Sequence, residues 1–396
     1  MKLAFVVQRY GADIAGGSEA HCRELAERLA PHHDITVLTT TARDYVTWEN
    51  AYPAGTTTER GVRVIRFPVA QPRRLKEFAD ISDEVFDGPA SLERQEAWFR
   101  ANGPDAPALL DYLREHGRGF DRVLFWTFRY APSFFGLPLV ADRAVLLPTA
   151  EDDPAVQMPI LEPFFQRPAG YLFLTPEEAA LVSSRAGTLP QPSATIGLGL
   201  EPARSAPPRT ALAALHLPGD YVLYLGRVDR NKGCHTLLEY FEAYAASHDS
   251  PTLVLAGPAK LRIPDHPRIR ALGYVSDDVR EALLAHARAL VVPSPFESLS
   301  IVLLEAWNHG VPALVNARCQ VLAGQVNRAN GGLYYRSAAE FSEALSYLLT
   351  HERERQAFGR QGLAYVEREY RWATVIARVE ALLRQTHLQP AGTPAP

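Results

Sequence analysis

Short apolar runs alternate with stretches of helical spacing along most of the chain. Lys2–Arg9 reads as a buried strand, Gly11–Gly17 as a loop with three glycines, and Ser18–Ala30 as a helix. That helix has Ala20, Leu25, Ala26 and Leu29 on one face and Ser18 as its expected N-cap. The pattern continues with strands expected at Asp34–Thr40, Arg63–Val69, Arg122–Phe128, Ala144–Thr149, Gly170–Thr175 and Ser193–Gly199. Helical segments are expected at Ser91–Asn102, Asp105–His116 and Pro176–Ala186. Strands alternating with helices imply a parallel sheet covered on both faces.

Glu201–Arg209, rich in proline and charge, reads as a linker, after which the scheme restarts. Tyr221–Gly226 is an expected strand, Val228–Gly233 a polar loop and Cys234–Ala246 an amphipathic helix. TLVLAG, RIRALGYV, ALVVPSP and PALVN follow as short strands, with a helix over Val279–Ala287 and helical spacing from Ala338 to about Thr386. The expected fold is α/β, with two doubly wound Rossmann-like domains: residues 1–200, and residues 201–370. Residues 387–396 read as a disordered tail. Open α/β sheets bind ligands at the carboxyl ends of their strands, so two domains facing each other would place a site in the cleft between them.

Bulk properties narrow the partners. The 396 residues are 47% hydrophobic and 22% charged, with net charge −4, a composition suited to sizeable cores. No global basic field draws nucleic acid. Cys22, Cys234 and Cys319 are scattered and form no CxxC, which suits reduced thiols. Met1–Phe5 runs straight into a strand pattern without signal-peptide character, so a cytoplasmic protein is expected. The histidines show no metal-ligand spacing, and His32–His33 is expected to be solvated.

Three loops carry candidate chemistry. Gly16 and Gly17 precede a helix, where glycine lets a ligand approach and the helix dipole favours an anion. Glycines that merely make the turn fit the same pattern. Arg227 and Lys232 leave the first strand of the second half and suit phosphate oxygens, or form a solvated charged turn. In PFESLSIVLLEAWNHG, Pro293 and Pro295 hold the chain extended, and a helix is expected from near Ser298 to His309, stopped by Gly310. Glu297 then lies before the helix and Glu305 two turns into it, with about 12 Å of rise between them. Free amides around Leu299, Ser300 and Ile301 make a seat for a diphosphate, and the flanking carboxylates are acceptors for sugar hydroxyls. A capping glutamate and an exposed helix residue are the plainer reading of the same spacing.

Together these segments resemble the retaining family-4 glycosyltransferases of the GT-B fold. GGSEAH is similar to their glycine loop, YLGRVDRNKG to their Arg/Lys loop, and ESLSIVLLEAWNHGVPALVN to their E-x7-E signature; VLLPTAEDDPAV and FLTPEEAALV resemble segments of their N-terminal domain. The resemblance implies transfer of a sugar from a nucleotide-diphosphate donor to a glycan or lipid-linked acceptor, with retention and no required metal or other cofactor. It implies that Arg227 and Lys232 offset charge on the departing phosphate, with amides of Gly17 and Leu299–Ile301 assisting. Glu297 would hold the transferred sugar and Glu305 the ribose, while Tyr274 and Val275 would lie against the base or pack in the core. It also implies that the helix 371–386 returns to the first domain. Two positions depart from the pattern. Glu151 stands where histidine is expected, adding negative charge, and Ser300 stands where glycine is frequent. A non-catalytic nucleotide-sugar binder, acting as sensor or partner subunit, and a nucleotide-sugar epimerase are the alternatives. The basic, partly apolar stretch Gly61–Phe78 is a candidate for peripheral docking on a membrane carrying the acceptor.

Overall fold

The computed structural model describes residues 1–14, 16–203, 208–217 and 219–387. Parts of the expected linker and nearly all of the expected tail therefore lie outside the described residues. The chain divides into two compact units: Met1–Gly197 with the chain from Val375 onward, and Leu198–Thr374.

The first unit holds β1 (Lys2–Val6), β2 (Asp34–Thr40), β3 (Gly55–Glu59), β4 (Val62–Phe67), β5 (Arg122–Trp126), β6 (Ala144–Leu147), β7 (Gly170–Phe173) and β8 (Ser193–Thr195). They form one 8-stranded sheet in the order β3-β4-β2-β1-β5-β6-β7-β8. Every pairing is parallel except β3 with β4. Interior strands are buried on both faces, so they read as continuous apolar runs such as RVLFW and AVLL. The edge strand β3 reads GTTTE, is largely exposed, and has no apolar run to betray it. The helix Leu75–Asp87, also absent from the sequence reading, packs Ile81 and Val85 against the core. The helix Trp372–His387 joins this unit from Val375, and Glu380 Oε1 lies 2.6 Å from His33 Nε2. His33 is thus a partnered, part-buried group and not the solvated one expected.

The second unit holds β9 (Tyr221–Leu225), β10 (Thr252–Ala256), β11 (Ile269–Gly273), β12 (Ala289–Val292), β13 (Ala313–Asn316) and β14 (Gly332–Tyr335), ordered β11-β10-β9-β12-β13-β14 and parallel throughout. The chain winds outward from β9 in one direction, then restarts at β12 and winds in the other. The topological switch point therefore lies between β9 and β12, where the two outgoing loops diverge and leave a crevice at the strand ends. In the first unit the same point lies between β1 and β5.

Candidate functional site

At the second unit's switch point, the loop after β9 and the loop after β12 bring two expected residues together. Lys232 Nζ donates to Glu297 Oε1 at 2.8 Å, across 65 positions of sequence. The β9 loop is held by Asp229, whose Oδ1 accepts the Lys232 amide at 2.8 Å and whose carbonyl accepts the Cys234 amide at 3.2 Å. The Arg227 side chain is 41% exposed, and its Nη1 lies 3.7 Å from Asp229 Oδ2, so the guanidinium remains accessible. Gly233, at φ 72, closes the loop, and a Cβ there would stand 2.3 Å from the Pro293 carbonyl oxygen. That same carbonyl accepts from Asn316 Nδ2 at 3.1 Å, which ties the end of β12 to β13.

The helix after β12 spans Ile301–Asn308, three residues later than expected at its start. Irregular backbone continues through Ser300, which takes the left-handed conformation (φ 66, ψ 84) and serves as N-cap. Gly310, at φ 68, follows the helix as expected. Leu299 and Ser300 are buried. Glu305 is neither free nor simply exposed: it forms an ion pair with Arg280 of the helix Asp277–His286. Burial holds the Glu305 carboxyl above its ordinary range, with Arg280 opposing the shift. His309 Nε2 lies 2.8 Å from Glu281 Oε2 on that same helix, so the two helices are cross-linked by polar contacts. Tyr274 follows the edge strand β11 and is 86% exposed, so of its two expected readings, against a base or in the core, the core is excluded; Val275 is half-buried.

In the first unit the helix after β1 spans Gly17–Leu29 with Gly16 as N-cap, not Ser18. Gly16 makes room for the chain's own carboxylate: a Cβ there would lie 2.0 Å from Glu19 Oε2. Glu19 in turn accepts from Arg9 Nε at 2.9 Å and from Ser18 Oγ at 3.0 Å. An internal anion thus stands beside Gly16 at the helix start that was expected to receive a ligand anion. Gly17 is the first helical residue.

Glu151 lies just beyond β6, at a bend fixed by strain and burial. Thr149 sits at φ 46, and the next amide, Ala150, donates to Glu178 Oε1 at 2.7 Å. Glu178 Oε2 accepts from Leu174 at 2.6 Å, so one buried carboxylate fastens the ends of both β6 and β7. Arg129 Nη2 pairs with Asp153 Oδ2 at 2.7 Å. Burial opposes the Arg129 charge, and the Asp153 and Glu151 carboxylates outweigh it, raising its pKa. The negative charge of Glu151 thus has a cation beside it. Asp229, Arg280, Arg129 and Glu178 escaped the sequence reading. Only Asp229 had a local signal, an Asx-type turn three residues before Lys232.

Burial pushes the Glu178 carboxyl from its ordinary 4.5 up to about 8, against the pull of its amide donors. Between those values the folded chain keeps a proton that the unfolded chain has lost, so stability falls as pH rises through this window. Denaturant titrations at pH 5 and pH 8 should show this decline for the wild type and a flatter profile for Glu178→Gln. Equal slopes would remove Glu178 as its source.

Most basic side chains of Gly61–Phe78 are engaged within the unit. Arg66 is buried, with Nη1 on Glu59 at 2.6 Å and Nη2 on the Tyr10 carbonyl at 2.8 Å. Arg73 donates through Nε to the Asn102 carbonyl at 2.9 Å and lies over the Trp48 ring. Among the described residues no helix is long and apolar enough to cross a membrane, and no group of three or more His, Cys, Asp or Glu is placed to hold a metal ion.

The family model described as "Glycosyl transferases group 1" matches residues 219–351, which take in Arg227, Lys232, Glu297 and Glu305. Glycogen synthase of Mycobacterium tuberculosis is 27% identical over 197 residues, covering 46% of this chain and 46% of that protein. The aligned region thus spans about half the length of this curated relative. Among solved structures, sucrose-phosphate synthase from Thermosynechococcus elongatus superposes with a TM-score of 0.71 at 19% identity, over 97% of this chain and 98% of that one. Anabaena Alr3699/HepE in complex with UDP-glucose gives 0.69 at 14% identity, over 97% and 100%. The fold is the two-domain α/β architecture with parallel sheets seen in GT-B glycosyltransferases.

Proposed function

We propose that this chain is a glycosyltransferase that moves a sugar from a nucleotide-diphosphate donor to a glycan or lipid-linked acceptor, with retention at the anomeric carbon and without a required metal. The observation that carries the reading is the Lys232–Glu297 pair, 2.8 Å apart at the switch point of the second sheet. A cation and a carboxylate at one strand end suit the two halves of such a donor. The Lys232 ammonium and the accessible Arg227 guanidinium offset charge building on the leaving diphosphate. The first-turn amides near Ile301 receive its oxygens. Glu297 accepts from hydroxyls of the transferred sugar, and Glu305, set by Arg280, accepts from the ribose. We assign the first unit to the acceptor, with Glu151 as its hydroxyl acceptor; Arg129 offsets the charge that glutamate brings where the family pattern has histidine.

Calorimetric titration with UDP, GDP, ADP and dTDP, repeated in excess EDTA, tests the donor half. One nucleotide class is expected to bind equally well with and without chelator, and Glu297→Ala to weaken the sugar-bearing form more than the bare diphosphate. Loss of binding in EDTA would refute metal independence. Binding without product release for any glycan or lipid-linked acceptor would favour the non-catalytic reading. Turnover of the nucleotide sugar with no acceptor present would favour the epimerase.

A further inference from the structure

We infer that the Ser300 hydroxyl donates a hydrogen bond to the donor's diphosphate and that the ligand-free protein holds this group strained and unsatisfied until the anion arrives. The inference rests on the donor reading above and concerns a side chain at a position where glycine would serve the backbone better.

Ser300 carries two separate costs. Its backbone lies in the left-handed region at φ 66, which side-chain-bearing residues avoid and glycine enters freely. The residue is only 6% exposed, and its Oγ has no hydrogen-bond partner among the described residues. A serine at an N-cap ordinarily adopts extended backbone and accepts from the second or third helical amide. Here the left-handed backbone removes that geometry, and no side-chain cap bond forms. The Leu303 amide instead goes to the Ser300 carbonyl at 3.2 Å. Each feature alone is tolerable; together, on one residue at a switch point, they mark a position that the ligand-free state does not optimise.

The surroundings specify what completes it. The amides of Ile301 and Val302 lie in the first turn, where no intrahelical carbonyl reaches them. Lys232 stands on the adjacent loop. All these groups donate, and a hydroxyl beside them is satisfied by an acceptor with several lone pairs and negative charge, which phosphate oxygens supply. Glycine at this position would leave the backbone amides in place but lose the directional O–H.

The test compares wild type with Ser300→Gly and Ser300→Ala, using whichever of UDP, GDP, ADP or dTDP binds the wild type, and its parent nucleoside. Ser300→Gly should unfold at a higher temperature than wild type without ligand, because both costs disappear. It should bind the nucleoside diphosphate about ten- to hundredfold more weakly, the worth of a hydrogen bond to a charged group, with nucleoside affinity unchanged. Ser300→Ala keeps the left-handed strain and should show the same affinity loss. If both variants bind the diphosphate as tightly as wild type, the hydroxyl is not a ligand and the inference falls while the donor reading stands. If the wild type binds none of the four diphosphates, the donor reading falls and takes the inference with it. A lower ligand-free unfolding temperature for Ser300→Gly would overturn the claim of stored strain.

Discussion

Replacing Lys232 with alanine is expected to lower kcat/KM for sugar transfer by about two to three orders of magnitude while leaving the fold intact. A preorganised donor aimed at developing charge typically contributes this much. The change also does more than delete a cation. Glu297 loses its 2.8 Å partner, so the loop after β12 then presents an uncompensated carboxylate to an incoming diphosphate. Lys232→Arg keeps the charge but replaces a compact ammonium with a planar fork, and an intermediate loss is expected. Stability should change by less than about 1 kcal/mol, since the pair is partly exposed and screened. Release of nucleoside diphosphate in the presence of acceptor reads the first effect, and thermal unfolding the second. Activity within about threefold of wild type would remove Lys232 from the mechanism.

The second large effect belongs to a residue without a side chain. Gly233→Ala is expected to destabilise the second unit by about 3 kcal/mol or more and to abolish donor binding. Left-handed backbone costs an alanine about 1–2 kcal/mol. The new Cβ would also meet the Pro293 carbonyl oxygen at 2.3 Å, and that backbone atom cannot swing aside. Relief requires the β9 loop to part from the end of β12, which separates the two strand ends that bring Lys232 to Glu297. Gly61→Ala is the control: its φ is 82, but nothing lies within 4 Å of its Cβ, so only the conformational cost applies. Denaturant midpoints of the two variants separate strain from collision. If Gly233→Ala is no more damaging than Gly61→Ala, the packing argument is wrong.

Much of the fold was legible because parallel strands are buried on both faces. DITVLTT and YVLYL can hardly be anything but interior strands, and the structure places them so. GTTTE was missed because an antiparallel edge strand has no buried face to pattern it. The start of the helix at Ile301 was placed too early because a left-handed serine leaves no trace in hydrophobic spacing. The residue types at the candidate site were legible, but their pairing was not. Lys232 and Glu297 meet only because β9 and β12 are neighbours, and Arg280 reaches Glu305 from 25 positions away. Tyr274 had two readings, against the base or in the core, and periodicity could not separate them; β11 is the edge of its sheet and leaves the ring exposed, which removes the second.

Two units of the same architecture pose a problem of degeneracy, since each offers a helix start beyond its first strand to any anion in solution. The Glu19 carboxylate beside Gly16 resolves it. A tethered counterion acts at an effective concentration that a free phosphate ester does not approach, and Arg9 and Ser18 anchor it in place. The first unit therefore carries its own tethered anion beside that helix start, whereas in the second unit the Cys234 amide at the corresponding start goes to the Asp229 carbonyl at 3.2 Å. Two copies of one scaffold are thus made unequal by a single carboxylate: the same helix start is neutralised by a side chain in one copy and by a backbone carbonyl in the other.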